Sequence, residues 1–344
     1  MNRNRKVKVL VVDDSRLSRE IISRGISRDE NIVVVGQASD PFEARDRIEE
    51  LNPDVITLDI NMPKMNGIEF LRKLMSQHPI PTVVISGMKE KLMESLEAGA
   101  VDFVSKPDVK TKKDLEGFLK ELEYKVKTAS TAKLVKLKNE DSKSRDVEAE
   151  PKRDLNKRIK VIAVGASTGG TEAFFKLIKQ LPTNIPGMVV VQHMPSSFTK
   201  MYADRLNSQT GFEVIEAKSG DEVKPGRIII APGDFHMQVR PENGKLTVRC
   251  YEGEKVSGHC PSVDVLFESV AEHVGKKALG VILTGMGRDG AKGLLSMKQR
   301  GAYTIGQDRD TSVVYGMPMV SYNIGAVEKQ VPIDKMGKAI VEYL

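Results

Sequence analysis

Two sets of reactive side chains stand out from the 344-residue sequence. The first is acidic. Asp13 and Asp14 follow the apolar run VKVLVV, Asp59 follows VITL, and Lys106 follows VDFVS and precedes Pro107. Clustered carboxylates repel one another unless a hard cation sits among them, and Mg2+ prefers such oxygen donors. One carboxylate can then take a phosphoryl group as an acyl phosphate. The cation and Lys106 neutralise the phosphoryl oxygens, and Ser86, ending the run TVVIS, supplies a hydroxyl. A lone Asp at a strand end is usually a cap; this set with Lys106-Pro107 at matching positions reads as a phosphate site.

The second set centres on Ser167 in IAVGASTGGTEA, residues 162–173. A strand runs into a glycine-rich turn, and a helix begins just after it. Glycines let backbone N–H groups approach an anion, and a helix N-terminus favours negative charge. Gly165 to Gly169 also fits the G-x-S-x-G nucleophile turn, a short match that needs a base and an orienting acid. His193 ends the strand GMVVVQH, and Asp289 lies in GMGRDG just past the strand LGVILTG. In that arrangement His193 takes the Ser167 proton and Asp289 holds the imidazole tautomer. Backbone amides of the turn and the GMG loop bind the oxyanion, at roughly 3 kcal/mol per donor. The order Ser167, His193, Asp289 is not the Ser, Asp, His order of an α/β-hydrolase. Dinucleotide binding is also disfavoured: GASTGG lacks the G-x-G-x-x-G spacing, and no ribose-binding acid follows.

Both sets require parallel strands that end on one rim. Short Val- and Ile-rich runs at 7–12, 32–36, 55–58, 82–85 and 101–104 alternate with helical patterns such as 67–77 and 89–98. That alternation predicts a doubly wound, flavodoxin-like (βα)5 sheet over residues 1–124, with ligand chemistry at the carboxyl ends of its strands. Runs at 159–164, 187–192, 227–231, 246–250 and 279–283, with helices at 171–180 and 263–273, predict a second doubly wound, mainly parallel α/β domain over 159–344. PENGK at 241–245 predicts a hairpin turn.

Between them, residues 125–158 carry eleven Lys/Arg and six Asp/Glu with no aromatic residue and no glycine. This reads as a solvated linker, with Leu134, Val135 and Leu137 as a possible helix extension. The interspersed acids disfavour a nucleic-acid arm, and the net charge of +6 is mild. Two cysteines, Cys250 and Cys260, with no CxxC read as small core residues in a reducing compartment. No apolar segment reaches the length of a signal peptide or membrane span, so a cytoplasmic protein without membrane insertion is expected. His78, beside a Pro at a helix end, reads as a surface residue, and His273 at the end of a helix reads as a dipole-favoured cap and not a ligand. No His/Cys cluster has zinc-ligand spacing.

The chain closely resembles a known family. LVVDDS, LDINMPKMNG, VVIS and DFVSKP resemble response-regulator receivers. The resemblance implies Asp59 as the phosphorylated residue, with Mg2+ held by Asp13, Asp14, Asp59 and the main chain of Asn61. It also implies Ser86 and Phe103 as switch residues beside Lys106. GASTGGTEA, QHMPSSFT, IAPGDFHM, HCPSVDVLF and GVILTGMGRDG resemble the catalytic domain of chemotaxis protein-glutamate methylesterases (CheB). This implies a Ser167–His193–Asp289 triad, an oxyanion donor at the Met286 N–H, and a site lined by Thr168 and His259. His236 also falls within a family motif. The implied reaction demethylates glutamyl methyl esters on chemotaxis receptors, with glutamine deamidation in some relatives and no cofactor for the ester chemistry. The implied phosphodonor is a chemotaxis histidine kinase. An unphosphorylated receiver covering the Ser167 rim is the expected mode of control. Arg288 stands where some relatives carry Asn. Two other readings are a C-terminal half that only binds a partner and an esterase for a small molecule.

Overall fold

The computed structural model describes residues 5–62, 66–107, 111–134 and 159–344. The chain divides into two compact units, Met1–Lys143 and Ser144–Leu344. Among the described residues no helix is long and apolar enough to cross a membrane.

The first unit alternates β1 (Val7–Val12), α1 (Arg16–Ile26), β2 (Ile32–Ala38), α2 (Pro41–Leu51), β3 (Val55–Asp59), α3 (Gly67–Gln77), β4 (Thr82–Ser86), α4 (Lys89–Glu97), β5 (Asp102–Ser105) and α5 (Lys112–Ala129). The five strands pair in the order β2-β1-β3-β4-β5, all parallel. Side caps set the helix starts: Asp40 accepts from Phe42 and Glu43 amides, and Thr111 and Asp114 form a capping box. The chain steps from β1 out to β2 and returns past β1 to β3. The carboxyl ends of β1 and β3 therefore flank a topological switch point, where open α/β sheets bind ligands.

Helix α5 continues to Ala129 because Leu122, Val126 and Ala129 keep its apolar face fully buried. Leu134 lies outside any helix. Val135, Leu137 and the rest of the linker through residue 158 fall outside the described residues.

The second unit contains β6 (Val161–Ala166), α6 (Gly170–Ile178), β7 (Gly187–Gln192), α7 (Ser196–Gln209), β8 (Glu213–Glu216), β9 (Arg227–Ile230), β10 (His236–Glu242), β11 (Lys245–Tyr251), α8 (Val263–His273), β12 (Ala278–Ile282), α9 (Ala291–Gln299), β13 (Tyr303–Gln307), α10 (Met317–Asn323), β14 (Lys329–Val331) and α11 (Ile333–Tyr343). Seven strands pair in parallel in the order β14-β13-β12-β6-β7-β9-β8. Strands β10 and β11 form a separate antiparallel hairpin. Asn243 and Gly244 turn it with φ of 50° and 77°, the pair of left-handed residues that a two-residue hairpin turn needs.

The core of this unit packs Val161, Ala163, Val189 and Val191 of the sheet against Leu266, Phe267 and Val270 of α8 and Leu294 and Met297 of α9. Burying each of the Val, Leu, Phe and Met side chains among them contributes roughly 2 kcal/mol. Here too the chain reverses: after β9 it returns to place β12 on the other side of β6. The second switch point lies between β6 and β12. Cys250 and Cys260 are partly exposed rather than core residues, because one sits on the hairpin and the other on the loop after it.

Candidate active site and acidic pocket

Ser167 follows β6, His193 follows β7 and Asp289 lies in the loop after β12. Because β6 is the central member of these three neighbours, all reach one rim. The rim is tied together by backbone bonds. His193 N–H donates to the Ala166 carbonyl at 3.0 Å, and Ser167 N–H donates to the Thr284 carbonyl at 3.0 Å. Gly285 has no room for a side chain: a Cβ there would lie 2.7 Å from Ser167 Cβ and 2.4 Å from Met317 Sδ. The Gly285-Met286-Gly287 loop thus presses directly on the serine. Among the described residues the Met286 N–H takes no partner.

Asp289 is 1% exposed, and four donors surround it. His193 Nε2 meets Oδ2 at 2.8 Å, Val263 N–H donates to Oδ2 at 2.8 Å, Ser262 Oγ donates to Oδ1 at 2.7 Å and Asp264 N–H donates to Oδ1 at 3.0 Å. Two of these donors are the first residues of α8, and Ser262 immediately precedes it. The carboxylate of Asp289 therefore caps that helix from a distant loop and lies at its positive end. Burial alone would push its pKa up; the bonds from His193, Asp264 and Ser262 outweigh this and hold the carboxyl below its usual range.

Anchoring Nε2 on Asp289 leaves His193 Nδ1 buried and without a partner among the described residues. Neutral imidazole with its proton on Nε2 offers Nδ1 as the acceptor. Ser167 Oγ makes no hydrogen bond within the described protein. A serine hydroxyl rotates freely, and catalytic hydrogen bonds commonly tighten only once substrate is bound. The arrangement supplies a hydroxyl, a free imidazole nitrogen, a fixed carboxylate and an unpartnered amide on one rim.

His259 stacks on His193, with ring centroids 3.7 Å apart and planes 11° apart. Burial, then the nearby His193, push the His259 pKa down to about 4, so its ring is neutral at pH 7. Thr168 is buried, and its carbonyl accepts from Thr284 Oγ1 at 3.0 Å. His236 is structural: its ring nitrogens meet the Glu254 carbonyl at 2.9 Å and the Ser262 N–H at 3.2 Å, fixing the loop that carries His259. His78 is exposed at the end of α3, and His273 ends α8 beside Glu272. Arg288 is exposed beside Asp289.

Sequence reading missed Ser262, Asp264, Gln192 and Thr284. Asp264 is buried, accepting from Gly293 N–H and Ser257 Oγ, each at 2.8 Å. Burial and the neighbouring Asp289 raise its pKa. The one available signal was Ser262 at the start of the apolar run VDVLF, a common helix-cap pattern.

In the first unit, ligand oxygens of Asp13, Asp14 and Asp59 lie within 4.8 Å of one another. Asp13 and Asp59 are buried, while Asp14 is exposed. Lys106 Nζ bridges Asp13 Oδ2 at 2.9 Å and Asp59 Oδ2 at 2.5 Å. Burial would lower the pKa of this ammonium, but its bonds to Asp59 and Asp13 prevail and raise it. Asn61 N–H donates to Asp59 Oδ1 at 3.2 Å. Ser86 is fully buried at the end of β4, and its hydroxyl accepts from Met88 N–H. Phe103 is buried in β5; Lys125 donates to its carbonyl and lies 5.1 Å from its ring centre. The three carboxylates form an all-oxygen donor set that fits a hard divalent cation, with the Lys106 ammonium beside it.

Comparison with known proteins agrees with both halves. Residues 162–340 match the family model for CheB methylesterase, and residues 9–120 match that for the response regulator receiver domain. A protein-glutamate methylesterase/protein-glutamine glutaminase of Syntrophomonas wolfei subsp. wolfei is 52% identical over 342 residues, covering 99% of each chain. Another of that description, from Syntrophotalea carbinolica, is 49% identical and covers 99% of this chain and 98% of its own. The crystal structure of the CheB methylesterase catalytic domain of Thermotoga maritima aligns with a TM-score of 0.53 at 40% identity, covering 54% of this chain and 99% of that one.

Proposed function

This chain belongs to the CheB methylesterase family, with a response regulator receiver domain ahead of its catalytic part, and from that membership we propose that it demethylates glutamyl methyl esters on chemotaxis receptors under the control of phosphorylation. The observation that carries the reading is the buried His193–Asp289 pair, held at 2.8 Å on the strand end beside Ser167.

In this reading Ser167 Oγ attacks the ester carbonyl carbon as His193 Nδ1 takes its proton. The tetrahedral oxyanion meets the Met286 N–H, with Thr168 and His259 lining the pocket. The intermediate collapses, and methanol departs with the proton from His193. Water, deprotonated by the same nitrogen, then cleaves the acyl-serine to leave a receptor carboxylate and restore Ser167. Asp289 keeps the imidazole oriented and stabilises its cationic form in both steps. An amide presents the same carbonyl with ammonia as leaving group, so glutamine deamidation belongs to the same chemistry, as in the names of the relatives. The ester reaction uses no cofactor.

The receiver takes its phosphoryl group on Asp59 from a chemotaxis histidine kinase. Asp13, Asp14, Asp59 and the main chain of Asn61 would hold Mg2+, which neutralises phosphoryl charge when bound. Lys106 adds a second positive charge, and Ser86 and Phe103 report the phosphorylated state to the surface. We place the receiver from the N-terminus to the end of α5, a charged linker after it, and the catalytic domain from residue 159, working in the cytoplasm.

The test is methanol release from methylated receptor by wild type and Ser167→Ala, with and without a small phosphodonor. The reading expects release by wild type alone, raised by the phosphodonor. Release by Ser167→Ala at the wild-type rate would overturn it.

A further inference from the structure

We propose that the buried carboxamide of Gln192 is a positioning residue that sets the spacing between the nucleophile turn and the base. The inference rests on the hydrolase reading above. Gln192 is the last residue of β7, immediately before His193, and is 3% exposed. Its Nε2 donates to the Ser167 carbonyl at 2.9 Å and to the His193 carbonyl at 3.2 Å. One NH2 group thus uses both of its hydrogens to join the main chain of the nucleophile to that of the base. The ladder bond from His193 N–H to the Ala166 carbonyl closes the same ring of contacts one residue earlier.

Two further observations show that the site is shaped around this amide. Gly170, the first residue of α6, leaves the space the carboxamide fills: a Cβ there would lie 2.4 Å from Gln192 Oε1 and 2.6 Å from Ala166 Cβ. Among the described residues the oxygen Oε1 is itself buried without a partner. Burying an unpaired acceptor carries a desolvation cost, and an apolar side chain of the same volume would avoid it. The NH2 end of the group is what compensates. The Ser167 carbonyl also accepts from Gly170 N–H at 2.7 Å, so removing Gln192 leaves the nucleophile held to its own helix but no longer to His193 through this bridge. Small displacements between reacting groups lower rates steeply, with 1 Å costing about 100-fold.

The test uses the full chain with Gln192→Met, which keeps volume and removes both donors, and Gln192→Ala as a second variant. Two rates are read: kcat and KM for methyl-ester hydrolysis, and the rate at which a fluorophosphonate labels Ser167. Labelling reports nucleophile–base competence without any receptor. The expected result is a kcat about 10- to 100-fold lower, a KM within about twofold, and labelling slowed by a similar factor, all at an unchanged folded fraction by circular dichroism. Wild-type rates in Gln192→Met, a change confined to KM, or a loss that follows the folded fraction in both variants would overturn the proposal. If wild type labels at Ser167 yet releases no methanol, and Gln192→Met slows labelling, the methylesterase reading falls and the positioning role stands. Wild type that does neither sinks both.

Discussion

His193 and Asp289 are 96 residues apart in the chain and meet at 2.8 Å, imidazole Nε2 to carboxylate Oδ2, at the opening of α8. The pair fixes which imidazole nitrogen is left for Ser167. Asp289→Asn keeps one acceptor oxygen and turns an NH2 group toward the two donors that the other carboxylate oxygen now serves. The expected outcome is a kcat for ester hydrolysis lower by about four orders of magnitude, with the wrong tautomer as the cause. Steady-state kinetics on methylated receptor check it, and a loss under tenfold would contradict the orienting role.

Ser262 immediately precedes α8, yet its hydroxyl donates to Asp289 Oδ1 instead of accepting from an N–H of its own helix. Ser262→Ala removes one of four donors and leaves the carboxylate buried. We expect a stability loss of about 1–3 kcal/mol and a lower kcat with little change in KM. Denaturant unfolding and kinetics on the same preparation check both.

How far the sequence revealed this site depended on whether a residue's neighbours are local. Asp13, Asp59, Lys106, Ser167 and His193 each end a Val- and Ile-rich strand, and buried parallel strands read as such runs. Asp289 follows the same kind of run in β12. The edge strands β8 and β14 have four and three residues and little apolar content, so no periodicity marks them. Gln192, Thr284 and Asp264 gain their roles only when distant backbones converge on them. Ser262 precedes an apolar helical run as any cap residue does, and nothing local marks that the carboxylate it serves comes from another loop. The last turns of α5 are hard to read because Lys125 and Lys127, set among Leu122, Val126 and Ala129, resemble the charged residues that follow.

His259 carries a pH prediction. Burial and His193 hold its pKa at about 4, against an ordinary 6.5. Between those values the unfolded chain binds more protons than the folded one, so stability falls as pH drops from 6.5 toward 4 and this contribution levels off below. Asp289 and Lys255 also act on this ring, in opposite directions. His259→Phe keeps a stacked ring and removes the titration. Thermal unfolding of both proteins should diverge across that window, with the variant losing less stability on acidification. Parallel curves would contradict the assignment.

Asp14 is the exposed member of the acidic cluster, so replacing it disturbs the fold least. Asp14→Asn should weaken Mg2+ binding, read by calorimetry, by at least about tenfold while leaving unfolding unchanged. Lys106→Ala would leave Asp13 and Asp59 without their shared cation. That variant should gain more stability from Mg2+ than wild type does, which a melting series in added Mg2+ reads directly.

The most direct measurement is of the covalent intermediate. Full-length protein turning over a methylated receptor fragment is quenched in acid, digested and examined by mass spectrometry. An acyl adduct on the peptide containing Ser167, absent from Ser167→Ala, is the predicted result. Sustained methanol release with the adduct on another residue, or release that survives Ser167→Ala, would contradict the account.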